Sequence, residues 1–157
     1  MQLSNLLPIV IGVIVLLLLA LVAKKFVLAA REPNPWPFYA KRPLTQPEQI
    51  LYWRLVKALP DHMVLAQVQC SRVLGVKRGF KFYEWNNRIS QLSYDFVICE
   101  KDGSVIAAIE LDDKTHDSAK QAERDARKQR ATEAAGVILV RWNVAAMPDE
   151  VAIRGLV

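Results

Sequence analysis

Eighteen uncharged residues in a row, Leu6 to Ala23 (LLPIVIGVIVLLLLALVA), constrain this chain more than any other feature. A helix rises about 1.5 Å per residue, so about 20 apolar residues match the hydrocarbon core of a bilayer. With its edges, the run reaches that length. A cleavable signal peptide has a basic start, a shorter apolar stretch and a small-residue cleavage site. Here no Lys or Arg precedes the run, and Lys24-Lys25 closes it like a stop-transfer signal. A core helix apolar on every face would need a larger protein around it, whereas 157 residues hold one domain and an appendage. The run reads as a transmembrane anchor over residues 1–25, with residues 6–23 in the membrane.

Orientation follows from charge. Lys24, Lys25, Arg31, Lys41 and Arg42 all follow the run, and cytoplasmic flanks hold the excess of Lys and Arg. The expectation is a single-pass protein whose C-terminal domain is cytoplasmic. Cys70 and Cys99 form no C-x-x-C motif and read as packed core thiols. Residues 26–43 form a Pro-rich linker, and REPNPWPFYAKRP within it is a stiff, extended spacer. Its Trp36, Phe38 and Tyr39 have two readings: at the lipid headgroups, or packed on the domain.

The remaining residues, 44–157, read as α-β-irregular-β-β-α-β. Thr45-Gln46-Pro47-Glu48 has the form of a capping box and opens a helix to about Leu59, with Leu51, Tyr52, Leu55 and Leu59 as its buried stripe. Met63 to Gln69 alternates as a strand. Tyr94 to Cys99 and Ser104 to Leu111 flank Lys101-Asp102-Gly103, a hairpin signal. Asp117 to Ala135 forms a helix capped by Thr115, Asp117 or Ser118 and ended by Gly136, before a buried strand, Val137 to Trp142.

The acids stand out against this frame. Asp95 lies inside one apolar strand, while Glu110 and Asp112 finish the next. Carboxylates rarely occupy such strands unless paired or metal-bound. Alternation puts Glu110 and Asp112 on one face, and a two-residue Asp102-Gly103 turn sets Asp95 opposite Glu110. Three such carboxylates repel, so either some hold protons or a cation neutralises them. Oxygen ligands with an incomplete cage suit Mg²⁺ or Mn²⁺. Glu48 either caps its helix or points at this cluster.

This arrangement resembles the PD-(D/E)XK nuclease superfamily. More narrowly, QPEQILYWRL, AQVQ, YDFVIC, IELDDKTH and AAGVILVRW resemble an uncharacterised bacterial domain family, domain of unknown function 2726, of that superfamily. The resemblance implies an α/β fold: an αβββαβ restriction-endonuclease-like core with a mixed central sheet, behind one transmembrane helix. It implies an inner-membrane, Mg²⁺-dependent nuclease that cleaves phosphodiester bonds of DNA or RNA. Asp95 and Glu110 would hold the metal, with Asp112 as a further ligand and Glu48 assisting. The sequence departs from the pattern where a water-activating lysine is due, because Asp112 stands there. Lys114, in a shifted frame, and His116, as in mismatch-repair-type nucleases, are the two candidates for the base. The non-enzymatic alternative is a degenerate nuclease fold that docks nucleic acid or protein at the membrane.

A net charge of +5 and a pI near 9.4 fit an anionic partner. Lys77, Arg78, Lys81 and Arg88 are interleaved with Phe80, Phe82, Tyr83 and Trp85, a pattern suited to phosphates and bases. Lys120, Arg124, Arg127 and Lys128 recur along one face of the helix after the acids. Both stretches suit nucleic acid, and both suit an anionic inner leaflet. No small-molecule organic cofactor is expected.

Overall fold

The structure, a computed structural model, describes residues 6–29, 36–112 and 119–156. The chain divides into two units, Met1–Lys41 and Arg42–Val157. The first contains helix α1 (Leu6–Ala29), which outruns the uncharged stretch by including Lys24 and Lys25. Within it, Val10–Leu28 is 19 residues long and apolar enough to cross a membrane. Its described side chains are exposed, as are Trp36, Phe38 and Tyr39 beyond it.

The second unit is a mixed α/β domain built on a four-stranded sheet. Its elements are α2 (Gln46–Ala58), β1 (Met63–Gln69), α3 (Cys70–Val73), α4 (Phe82–Ile89), β2 (Ser93–Cys99), β3 (Val105–Asp112), α5 (Ala119–Ala134), β4 (Ile138–Asn143) and α6 (Glu150–Arg154). The spatial order is β1-β2-β3-β4. β1 and β3 both run antiparallel to β2, and β4 runs parallel to β3 after the α5 crossover. Helix α4 falls in the stretch read as irregular, because eight residues are too short to display a helical period. β4 is an edge strand and only partly buried, with Ile138 exposed, rather than the buried strand its apolar run implied.

Two apolar clusters sandwich the sheet. Leu51, Leu55 and Ala58 of α2 pack with Phe96, Ile98, Ile109 and Ile153. Leu51 and Leu55 are fully buried, worth roughly 1.5–3 kcal/mol each. Across the sheet, Cys70, Leu74, Ile89 and Leu92 pack with Tyr94, Val97 and Ala108. Both cysteines are free and buried there, as expected. Tyr94 anchors α5: its hydroxyl meets Thr132 Oγ1 at 2.6 Å, and Thr132 Oγ1 donates to the Lys128 carbonyl. Gly136, at φ +73°, ends α5, and the next N–H, of Val137, returns to the Thr132 carbonyl.

The hairpin differs from its expected form in a way that matters for the acids. Gly103 N–H bonds the Glu100 carbonyl and Glu100 N–H bonds the Ser104 carbonyl, so the loop is Lys101-Asp102-Gly103. Three loop residues would throw the strands out of phase. A bulge between Ile98 and Cys99 corrects this, since Cys99 faces Val105 but Ile98 faces Ala107. From there the ladder runs to Phe96↔Ile109 and ends, one step short of Asp95 and Glu110. The two acids are therefore not a ladder pair, and a three-residue loop with a bulge stands where a two-residue turn was expected.

Candidate functional site

The site lies where the sheet loses regularity around Asp95. On one side, the register passes from Ala66↔Phe96 to Val68↔Tyr94, leaving Gln67 at φ +52°. A non-glycine residue there costs about 1–3 kcal/mol. On the other side, the β2–β3 ladder ends at Phe96↔Ile109, and Leu111 N–H donates to Asp95 Oδ2 at 2.8 Å. Tyr94 and Phe96, two residues apart, pack in opposite clusters, so the strand turns over at Asp95. That twist holds a carboxylate at the opening between strands.

Glu110 is 6% exposed and Lys128 7% exposed. Lys128 Nζ lies 2.5 Å from Glu110 Oε2 and donates to the Ser93 carbonyl at 3.0 Å. The other oxygen, Glu110 Oε1, is buried and has no hydrogen-bond partner among the described residues. Burial pushes the Glu110 carboxyl up to about 7, against the pull of the Lys128 ammonium. Asp95 is raised as well, first by burial, against its bond from Leu111 N–H; the neighbouring Glu48 and Asp112 charges push it further. The two acids thus sit close enough to repel, in surroundings that favour a proton or a cation.

The other expected site residues fall as follows. Glu48 bonds back to Thr45 N and Oγ1 and accepts from Gln67 Nε2 at 3.0 Å, so it both caps α2 and borders Asp95. Asp112 is exposed and pairs with Arg141 at 3.3 Å. Lys114 and His116, the two candidate bases, lie outside the described residues, as do the capping residues Thr115, Asp117 and Ser118. Among the described residues no group of three or more His, Cys, Asp and Glu side chains is placed to hold a metal. The expected set of three carboxylate ligands is not assembled.

Lys128 needs the largest correction. Grouped by sequence with Lys120 and Arg124 as a phosphate contact, it points into the protein instead, where it meets the buried Glu110 carboxylate. Helical spacing told which residues share a face but not which face meets the sheet. A mid-strand glutamate followed by a crossover helix was the signal for such a partner. Lys77, Arg78, Lys81, Arg88, Lys120 and Arg124 are exposed. Arg88 and Lys120 join Arg124 and Arg127 around a groove of about 210 Å³ between α4 and α5.

The buried pair is testable by a variant cycle. Above the folded value near 7, where Glu110 is ionised, Lys128→Met should leave it without its countercharge and cost up to about 3–5 kcal/mol, whereas Lys128→Met with Glu110→Gln should cost much less than the single changes summed. A raised carboxyl stabilises the fold fully below its ordinary value and loses that contribution as pH rises through its folded one. Lys128→Met should therefore lose more stability at pH 8 than at pH 5, around the folded value near 7. Urea melts at the two pH values read this out; additive, pH-independent costs would dissolve the pair.

The family model described as a protein of unknown function (DUF2726) matches residues 40–156. That span begins after α1 and covers the whole sheet domain. No curated protein and no solved structure matches the chain. The motifs from QPEQILYWRL to AAGVILVRW lie inside the matched span, and by that match the chain belongs to the DUF2726 family.

Proposed function

We propose that this domain is a divalent-metal-dependent hydrolase of phosphodiester bonds in nucleic acid, with a restriction-endonuclease-like core tethered to the inner membrane by α1. The observation that carries the reading is the convergence of Asp95 and Glu110 where β2 and β3 part, with Glu110 Oε1 buried and without a hydrogen-bond partner among the described residues. An orphaned carboxylate oxygen loses hydration without compensation, so it supports a missing partner. Two carboxylates fit Mg²⁺ or Mn²⁺, which take few protein ligands and keep waters and substrate phosphate oxygens for the rest. Asp95 and Glu110 would hold the ion, whose chemistry is to polarise the phosphate and acidify water. Lys128 holds Glu110 in place through Oε2 and adds a positive charge beside the acids. Gln67 holds Glu48 beside Asp95, where its charge adds to the demand for a cation. Lys114 and His116 remain the candidates for proton acceptor.

The order of elements, with β1-β2-β3 antiparallel and β4 parallel after a helix, supports the restriction-endonuclease-like core. The second reading, a catalytically degenerate docking module, is favoured by one observation: Lys128 already neutralises Glu110 without any metal.

Purified protein should cleave DNA or RNA with Mg²⁺ or Mn²⁺ and stop in EDTA. Asp95→Asn and Glu110→Gln should each remove nearly all turnover, at least a hundredfold, while a melt confirms that the domain is folded. Single-stranded, duplex and structured substrates all left intact by metal-loaded protein would leave the docking module.

For the tether, the Lys and Arg that follow the uncharged run predict an orientation. A reporter fused on the C-terminal side should work only as a cytoplasmic enzyme, and carbonate washing should leave the protein in membranes. A fusion active outside the cytoplasm would reverse the topology.

A further inference from the structure

The surface beside the acid site combines two features that the hydrolase reading does not require. The first is the groove between α4 and α5, lined by Arg88, Lys120, Arg124 and Arg127. Its cations are partly held in place: Arg88 pairs with Glu84, Arg127 with Glu123, and Arg124 donates to the Gln91 carbonyl at 3.1 Å. The second is a shelf of aromatic rings next to it. Tyr83 is 80% exposed, and Phe80, Phe82 and Trp85 are exposed as well. Phe80 and Trp85 meet edge to face, as do Phe82 and Tyr83. Arg88 lies 4.2 Å over the Trp85 ring, so one side chain joins shelf and groove.

Exposed rings in such number on one short helix and its approach need a partner. Cations mixed among them set its charge. Lys77, Arg78 and Lys81 flank the rings and have no ion-pair partner among the described residues. We propose that this surface binds single-stranded nucleic acid, with phosphates along the α4–α5 groove and unpaired bases on Phe80, Phe82 and Tyr83. Aromatic platforms beside a basic groove take bases by stacking, whatever their sequence. A duplex stacks its bases internally and presents only edges and phosphates, which would leave the rings unused.

Position links the surface to the acids. Arg124 and Lys128 are one turn apart on α5; Arg124 bonds the carbonyl of Gln91, just before β2, and Lys128 that of Ser93, its first residue. The groove is thus lined by the same helix, one turn away, that sends Lys128 to Glu110. The proposal names the substrate class for the hydrolase and rests on that reading only in making the bound strand a substrate.

The test is anisotropy of a labelled single strand with the full chain in neutral-lipid nanodiscs, in EDTA so that no cleavage occurs. The single strand should bind at least tenfold more tightly than the duplex of the same sequence. Tyr83→Ala with Phe80→Ala should weaken single-strand binding about tenfold or more and leave duplex binding and the melting temperature unchanged. Arg124→Ala should reduce the salt dependence of binding by about one phosphate contact. Duplex binding as tight as single-strand binding, or aromatic variants that bind like the parent, would overturn the proposal. So would binding to anionic vesicles with none to the oligonucleotide, which would make the surface a leaflet contact. Tight single-strand binding without turnover once Mg²⁺ is restored would refute the hydrolase reading alone.

Discussion

A desolvated carboxylate in the middle of a sheet is the constraint around which this domain is arranged. Glu110 sits on β3 with almost no access to water, and Lys128 is the chief group that offsets that burial, helped by the Arg141 charge. An unpaired carboxylate there would be costly, so α5 must turn one particular face toward β3. The Lys128 contact to the Ser93 carbonyl and the Tyr94–Thr132 bond hold the same face from β2. Once that rotation is set, Arg124 and Lys120 fall toward α4, and the basic groove follows from the same buried pair.

The same pair frames the question of chemistry. Lys128 occupies Oε2, and Oε1 has no partner among the described residues, so within them Glu110 is neutralised but not satisfied. Such a half-satisfied group suits a site that awaits a ligand better than one built only for packing. The surrounding backbone carries further cost. Gln67 is left-handed opposite Asp95, and the β2–β3 ladder gives up a carbonyl partner so that Leu111 can bond the Asp95 carboxylate. Irregularities of this kind concentrate at functional sites, and here both border one acid. Fold alone does not fix activity, and the hydrolase proposal therefore stands on these groups rather than on the sheet order.

Much of the frame was legible from residues. The Thr45–Glu48 cap, strand β1 and the Gly136 stop declare themselves by local chemistry, and each is found where that chemistry predicts. The nearness of Asp95 and Glu110 was legible too, though the ladder stops at Phe96↔Ile109 before it pairs them. The loop has three residues and the bulge at Ile98–Cys99 restores the phase, a compensation between two irregularities that alternation cannot foresee. Lys128 was hidden for a different reason. Its place on the helix stripe is a local property, whereas its burial depends on which face α5 turns toward the sheet. Likewise α4 is too short to show periodicity, and Gln67 carries no residue-level sign of a positive φ.

The central claim is that Asp95 and Glu110 are held together to take a divalent cation. Crystals of the protein soaked in Mn²⁺ and measured at its absorption edge test this most directly. The account predicts anomalous density about 2 Å from an oxygen of each carboxylate, with Glu110 Oε1 among the ligands, and its loss in Asp95→Asn. Saturating Mn²⁺ that leaves the Lys128–Glu110 contact unchanged, with no density between the two acids, would contradict it.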